Sequence, residues 1–248
     1  MKYRTLILGC LILCSTSFAV ESLTLTDKEG NVTEGSITSY NPSDEIVKIK
    51  VKGQYIELPF SKFTAESQQE INGWLADKKF KSSSGLRIKL DDEVETNDTD
   101  SNQYIQETET AVYKLHLTNK SPIHLKDIKI EYYVFYEQEE HGSKDPAQKL
   151  CESGTMSCDL APGEQREFKT KPVSVEDRTL TYSGNVYYTY GNGANKTSKG
   201  RIEGMLFRVT KPSLSGKLLT RDLKKGRVPK EKKWAEYLGH PNNPHTIN

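Results

Sequence analysis

Leu23 to Leu75 reads LTLTDKEGNVTEGSITSYNPSDEIVKIKVKGQYIELPFSKFTAESQQEINGWL, and its periodicity decides the fold. Leu23 and Leu25 alternate with Thr24 and Thr26, a period-2 strand that runs into Asp27-Lys28-Glu29-Gly30-Asn31, a turn with glycine where positive φ is easiest. Val32 to Ile37 return, and Asn41-Pro42-Ser43-Asp44 turns the chain again. Val47, Ile49 and Val51 then alternate with Lys48, Lys50 and Lys52, so one side packs and the other meets water. Ile56, Leu58 and Phe60 repeat the pattern after Gly53-Gln54, with Pro59 suited to a strand end. A helix follows. Thr64 or Ser67 can cap it, Glu70 can complete a capping box with Ser67, and Ile71, Trp74 and Leu75 fall on one face.

Outward from this stretch, the totals bound the rest. The chain has 248 residues with 34% hydrophobic, low for one large core, which points to two compact modules with loops and a polar tail. Lys plus Arg number 35 against 34 Asp plus Glu, so no global charge marks a nucleic-acid binder, and none is expected as partner. Lys2 and Arg4, the apolar run Leu6 to Leu13 and the small residues of Ser17-Phe18-Ala19 have the form of a Sec-type signal peptide cut after Ala19. That predicts a secreted or periplasmic chain with no transmembrane anchor after cleavage. A lipoprotein reading through Leu8-Gly9-Cys10 competes with it, against the apolar run that continues past the cysteine.

Residues 77–85 are polar and read as a linker between a first domain, 20–76, and a second, 86–212. In the second, Leu86, Ile88 and Leu90 alternate, then Tyr113, Leu115 and Leu117, then Ile128, Ile130, Tyr132, Val134 and Tyr136, with later segments around Phe168, Leu180, Val186 to Tyr190 and Ile202 to Val209. About eight strands with polar turns predict an antiparallel, immunoglobulin-like sandwich. Leu117-Thr118-Asn119-Lys120-Ser121 and Leu160-Ala161-Pro162-Gly163-Glu164 sit where such domains place inter-strand turns. The remainder, 213–248, reads as a basic and partly disordered tail: nine basic residues fall between Lys211 and Lys233, against Asp222 and Glu231. Such a tail suits an anionic envelope surface; the competing reading packs Leu218, Leu219 and Trp234 back on the sandwich.

Thr24-Leu25-Thr26-Asp27, Gly30, the paired strands, Leu58-Pro59-Phe60-Ser61-Lys62-Phe63-Thr64 and the helix ending in Trp74-Leu75 together resemble the SLA1 homology domain 1 family. The resemblance covers about a fifth of the chain and implies a small SH3-like β-barrel closed by a C-terminal helix. In fungal endocytic adaptors such domains recognise Asn-Pro-Phe-x-Asp peptides, and related domains occur in secreted proteins of Planctomycetes and Verrucomicrobia. Carried over, it places Leu25, Asp27 and Thr33 at a peptide site, with Leu25 where an aromatic is often found and Thr33 where the fungal adaptor has a basic residue. It implies protein or peptide partners, and self-association with them.

Other constellations are sparser. Asp98, Asp100, Asn102 and Glu109 fall at positions 1, 3, 5 and 12 of an EF-hand-like pattern, against Gln103 where the sharp turn wants glycine. Tyr133, Phe135 and Tyr188 have the parity of an outward aromatic face for sugar or peptide. Cys151 and Cys158 remain after signal cleavage and are expected to close a local disulfide; a metal reading would add His141. Sequons stand at Asn31, Asn97, Asn119 and Asn195. There is no H-E-x-x-H, G-x-S-x-G, P-loop or dinucleotide fingerprint, so neither enzyme nor cofactor is expected. The sequence thus predicts a mainly β, non-enzymatic adaptor or scaffold, with a carbohydrate- or Ca²⁺-binding sandwich as the alternative and a cryptic hydrolase as a third.

Overall fold

The computed structural model describes residues 22–100, 104–141, 143, 145–180 and 197–241. It is mainly β and divides into two compact units, Met1–Ile71 and Asn72–Asn248.

In the first unit, β1 (Leu23–Thr26), β2 (Val32–Asn41), β3 (Ile46–Val51) and β4 (Gln54–Pro59) form an antiparallel meander in that order. The expected alternation holds: Leu25, Ile37, Val47 and Ile49 are buried, and Lys48 and Lys50 point the other way. Each turn has its chemical reason. The Asp27 carboxylate accepts the amides of Glu29 and Asn31, and Gly30 sits at φ 85°. The two-residue β3–β4 loop, Lys52-Gly53, has φ of 47° and 91°, the left-handed pair that matches strand twist in a tight hairpin. No ladder joins β1 to β4 among the described residues, so the sheet is not a closed barrel. Instead the chain after β4 makes a 3₁₀ turn, Phe60–Lys62, and returns to β1 through one bridge, Asp27 to Phe63. The amides of Lys28 and Thr64 donate across that seam to Lys62 and Thr26.

Helix α1 (Ala65–Lys81) then starts at Thr64, whose hydroxyl accepts the Ser67 amide, so Thr64 is the cap. Ser67 lies inside the helix, where its hydroxyl accepts the Thr26 amide and ties α1 to β1. Trp74 is only half-buried, with the Lys78 ammonium over its ring at 4.8 Å; Ile71, Leu75, Ala76 and Phe80 are the buried apolar residues of the helix.

The second unit corrects both expected boundaries. Residues 77–85 are not a linker, because α1 runs on to Lys81 and its last turns belong to this unit's core through Ala76 and Phe80. The Lys211 ammonium pairs with the Asp77 carboxylate at 2.8 Å, and the Arg221 guanidinium donates to the carbonyls of Phe80 and Leu86, capping the helix C-terminus. Among the described residues nine strands follow: β5 (Leu86–Asp100), β6 (Tyr104–Asn119), β7 (Leu125–Gln138), β8 (Gln148–Leu160), β9 (Gln165–Lys169), β10 (Val173–Leu180), β11 (Thr197–Ser198), β12 (Gly200–Pro212) and β13 (Leu218–Gly226). One sheet has the order β11-β10-β6-β5 with β9 also on β6, and the other β13-β12-β7-β8.

These sheets enclose a common core that includes Leu115, Leu117, Ile128, Ile130, Val134, Phe207 and Val209, a sandwich of antiparallel sheets. The alternation read from the sequence names its inward residues correctly. The two segments expected to be inter-strand turns meet at Asn119, fully buried, whose amide reaches the carbonyls of Ile123, Leu160 and Ala161 while its oxygen accepts from Ser121. The expected tail is also largely ordered. Leu219 and Leu223 of β13 alternate onto the core, and a strap from Arg227 to Pro241 crosses the outer face of the β13-β12-β7-β8 sheet.

Candidate functional site

On the first sheet, the side of β3 and β4 opposite the core carries Lys48, Lys50, Tyr55 and Glu57, paired in register as Lys48 with Glu57 and Lys50 with Tyr55. Tyr55 is 58% exposed, and the Lys48 and Lys50 ammonium groups stand 5.7 and 5.8 Å from its ring centroid. Glu57 accepts from Lys48 at 2.9 Å and raises its pKa above the ordinary lysine range. Lys50 has no carboxylate partner among the described residues, so the face presents a flat aromatic surface with a free positive charge beside it. The sequence signal for this face is Tyr55 itself, an aromatic at the polar position of an alternating strand.

Of the residues named by resemblance, Leu25 and Asp27 serve the fold. Leu25 is wholly buried in the first core and presents nothing to a ligand. Asp27 is buried and occupied: it bonds the Asn31 side-chain amide at 3.0 Å, the amides of Glu29 and Asn31, and pairs with Lys62 at 3.4 Å. These interactions, the Asn31 side chain first, hold its carboxyl below the usual range. Thr33 is half-buried on β2, opposite Leu25.

In the second unit, Tyr133 and Phe135 have the outward parity expected, but the strap covers them. Trp234 lies 4.7 Å from Tyr133 and 5.6 Å from Phe135, Tyr237 meets Phe135 edge-on at 5.1 Å, and His240 stacks on Tyr133 at 5.4 Å. Polar contacts fasten the same segment. The Trp234 indole donates to the Pro229 carbonyl, the Tyr237 hydroxyl to Glu203 at 2.6 Å, and Leu238, bridged to β8 beside Leu150, donates its amide to the Lys149 carbonyl and accepts from the Cys151 amide. Gly226, at φ 68°, is where the chain leaves β13; a side chain there would meet the Glu203 carbonyl. A ligand face at Tyr133 and Phe135 is thus filled by the protein's own aromatics, and Tyr188 lies outside the described residues.

The EF-hand-like pattern is a hairpin. Asp98 and Asp100 lie on β5 and Glu109 on β6, where Asp98 faces Glu107, Asp100 faces Ile105 and Glu109 faces Thr96. Four residues of extended strand, roughly 13 Å, separate the Asp100 rung from Glu109, whereas a bound calcium needs its oxygens at about 2.4 Å. Asn102 lies outside the described residues. Among those described, no group of three or more His, Cys, Asp or Glu side chains is placed to hold a metal.

The disulfide is also corrected. Cys151 and Cys158 are free and lie on the same strand, β8. Seven residues apart, they point to opposite faces: Cys151 under the strap, Cys158 into the sandwich core. Burial pushes the Cys151 thiol up to about 12 and Cys158 up to about 11, so neither forms a thiolate near neutrality. Of the sequons, Asn119 is closed by its burial and Asn195 lies outside the described residues. No helix among the described residues is long and apolar enough to cross a membrane.

No protein-family profile and no curated protein matches the chain. Among solved structures it is similar to a Northeast Structural Genomics Consortium target, SoR45, at 8% identity and a TM-score of 0.25, over 67% of this chain and 96% of that one. A Bordetella pertussis protein provisionally named ApaA matches at 12% identity and a TM-score of 0.26, over 58% and 95% of the two chains. The sporulation control protein Spo0M of Bacillus subtilis matches at 14% identity and a TM-score of 0.18, over 56% and 48%. Likenesses at these TM-scores carry no argument about the fold or the function of this chain.

Proposed function

We propose that the chain is an exported, non-enzymatic interaction protein, in which a module resembling SLA1 homology domain 1 is joined to an immunoglobulin-like sandwich and takes a short peptide. The observation that carries this reading is the exposed Tyr55 with Lys48 and Lys50 beside it, on a sheet whose opposite side is packed. A tyrosine ring offers contact area at small entropic cost, and the Lys50 ammonium, the one beside it that Glu57 does not pair, selects for a carboxylate next to an apolar or proline side chain. The peptide class that fits is therefore short, extended and acidic, as Asn-Pro-Phe-x-Asp is. It docks on the β3–β4 face rather than around Leu25, Asp27 and Thr33.

The test is fluorescence anisotropy of labelled Asn-Pro-Phe-x-Asp and related acidic peptides with the chain from residue 20 onward. Tyr55→Ala is expected to weaken binding about ten-fold or more, and Lys50→Glu to do the same in a salt-dependent way. Equal binding by wild type and Tyr55→Ala, or equal binding of acidic and basic peptides, would remove the reading.

A further inference from the structure

Eight of the nine cations of the C-terminal segment divide sharply; the ninth, Lys217, is exposed just before β13. Lys211 is consumed by Asp77, Arg221 by the carbonyls at the end of α1, and Lys225 by Asp92. Arg208 in turn takes both acidic residues of the segment, Asp222 and Glu231. Lys224, Arg227, Lys230, Lys232 and Lys233 are exposed, and none makes a side-chain hydrogen bond or ion pair among the described residues. They also share a face. Lys224 is paired in register with Leu206, whose side chain belongs to the cluster under the strap, and the other four lie on the strap or at its start. Trp234 and Tyr237 pin that segment to the sheet, so these charges are held in place rather than carried on a loose tail.

We infer that this face of the second unit docks on an anionic lipid surface. Four of the five cations are lysines, compact charges that suit a laterally mobile field of headgroups rather than the forked recognition of one carboxylate. Clusters of about four to eight basic residues suffice for such attraction. The same side also leaves leucines in water: Leu218, on the same side of β13 as Lys224, is 63% exposed, and Leu238 of the strap is 37% exposed. Lysine stems can lie along an apolar boundary with their heads at the phosphates while these leucines enter it. This contact is independent of the peptide face on the first sheet.

The experiment is co-sedimentation of the chain from residue 20 onward with vesicles of phosphatidylcholine alone or with about a third phosphatidylglycerol. Binding is expected only with the anionic lipid, falling steeply between about 0.1 and 1 M salt as the screening length shortens. The triple change Lys230→Glu, Lys232→Glu and Lys233→Glu is expected to cut the bound fraction about ten-fold or more. Lys50→Glu is expected to leave it unchanged. The corresponding triple glutamine variant removes charge without adding repulsion and is expected to fall between. Binding to neutral vesicles as strong as to anionic ones, or binding untouched by both triple variants with native tryptophan fluorescence, overturns the inference. So does self-association in sedimentation velocity that the same variants abolish while vesicle binding is absent, since the face would then meet a second copy of the chain.

Discussion

At the scale of single residues, buried polar groups and thiols carry the second unit's stability. Asn119 serves three carbonyls and Ser121 from a wholly buried position, so Asn119→Ala should cost about 3 kcal/mol by leaving those groups without their partner. Urea unfolding with an unchanged m-value checks it. Asp77→Ala strands the Lys211 ammonium in a site where both side chains are nearly inaccessible, with an expected loss of about 3 kcal/mol or more. For Cys151 and Cys158, neither thiol should react with a thiol reagent at neutral pH until the chain unfolds, and reductant should leave the thermal midpoint unchanged. The expected disulfide failed for a reason that spacing alone does not reveal. Six intervening residues can close a loop or extend a strand, and the residues between the two cysteines pair continuously with β7.

At the scale of elements, local periodicity was legible and long-range pairing was not. The first four strands and the inward residues of β6 and β7 followed from alternation. The end of α1 did not, since Asp77 to Lys81 has one apolar residue, Phe80, and its burial depends on a sandwich formed by chain far downstream. The strap was half legible: Trp234 announced an anchor, but only the structure shows Tyr133 and Phe135 as its socket.

His240 gives that element a pH dependence. It is 1% exposed, and burial pulls its pKa below the ordinary histidine value. The unfolded strap therefore binds more protons in that range. The stability contributed is complete above the ordinary histidine pKa and is lost as pH falls toward the depressed one. A second loss is expected at lower pH, where Glu236, held below the usual range by Lys149, is protonated. Trp234 emission followed against pH in a Trp74→Phe background should show the first step, and His240→Gln should remove it while keeping the second.

At the scale of the whole molecule, a net charge of +1 hides strong segregation. The distal β5–β6 hairpin carries Glu95, Asp98, Asp100, Glu107 and Glu109, while the strap and the end of β13 carry the exposed cations. On β5, a 15-residue edge strand, Glu95, Asp98 and Asp100 also discourage pairing with another chain's edge. Composition averages such patterns away, which is why it named no partner. The candidate peptide face was written in the sequence as Tyr55 on the polar side of an alternating strand. Its value became clear only when Leu25 was found buried and Asp27 hydrogen-bonded within the fold.

The most direct test of the central proposal is an amide NMR titration of the chain from residue 20 onward with an Asn-Pro-Phe-x-Asp peptide. Shifts concentrated in β3 and β4, between Ile46 and Pro59, are expected, and they should vanish in Tyr55→Ala. Shifts confined to the strap and the sheet beneath it, or none at saturating peptide, would contradict it.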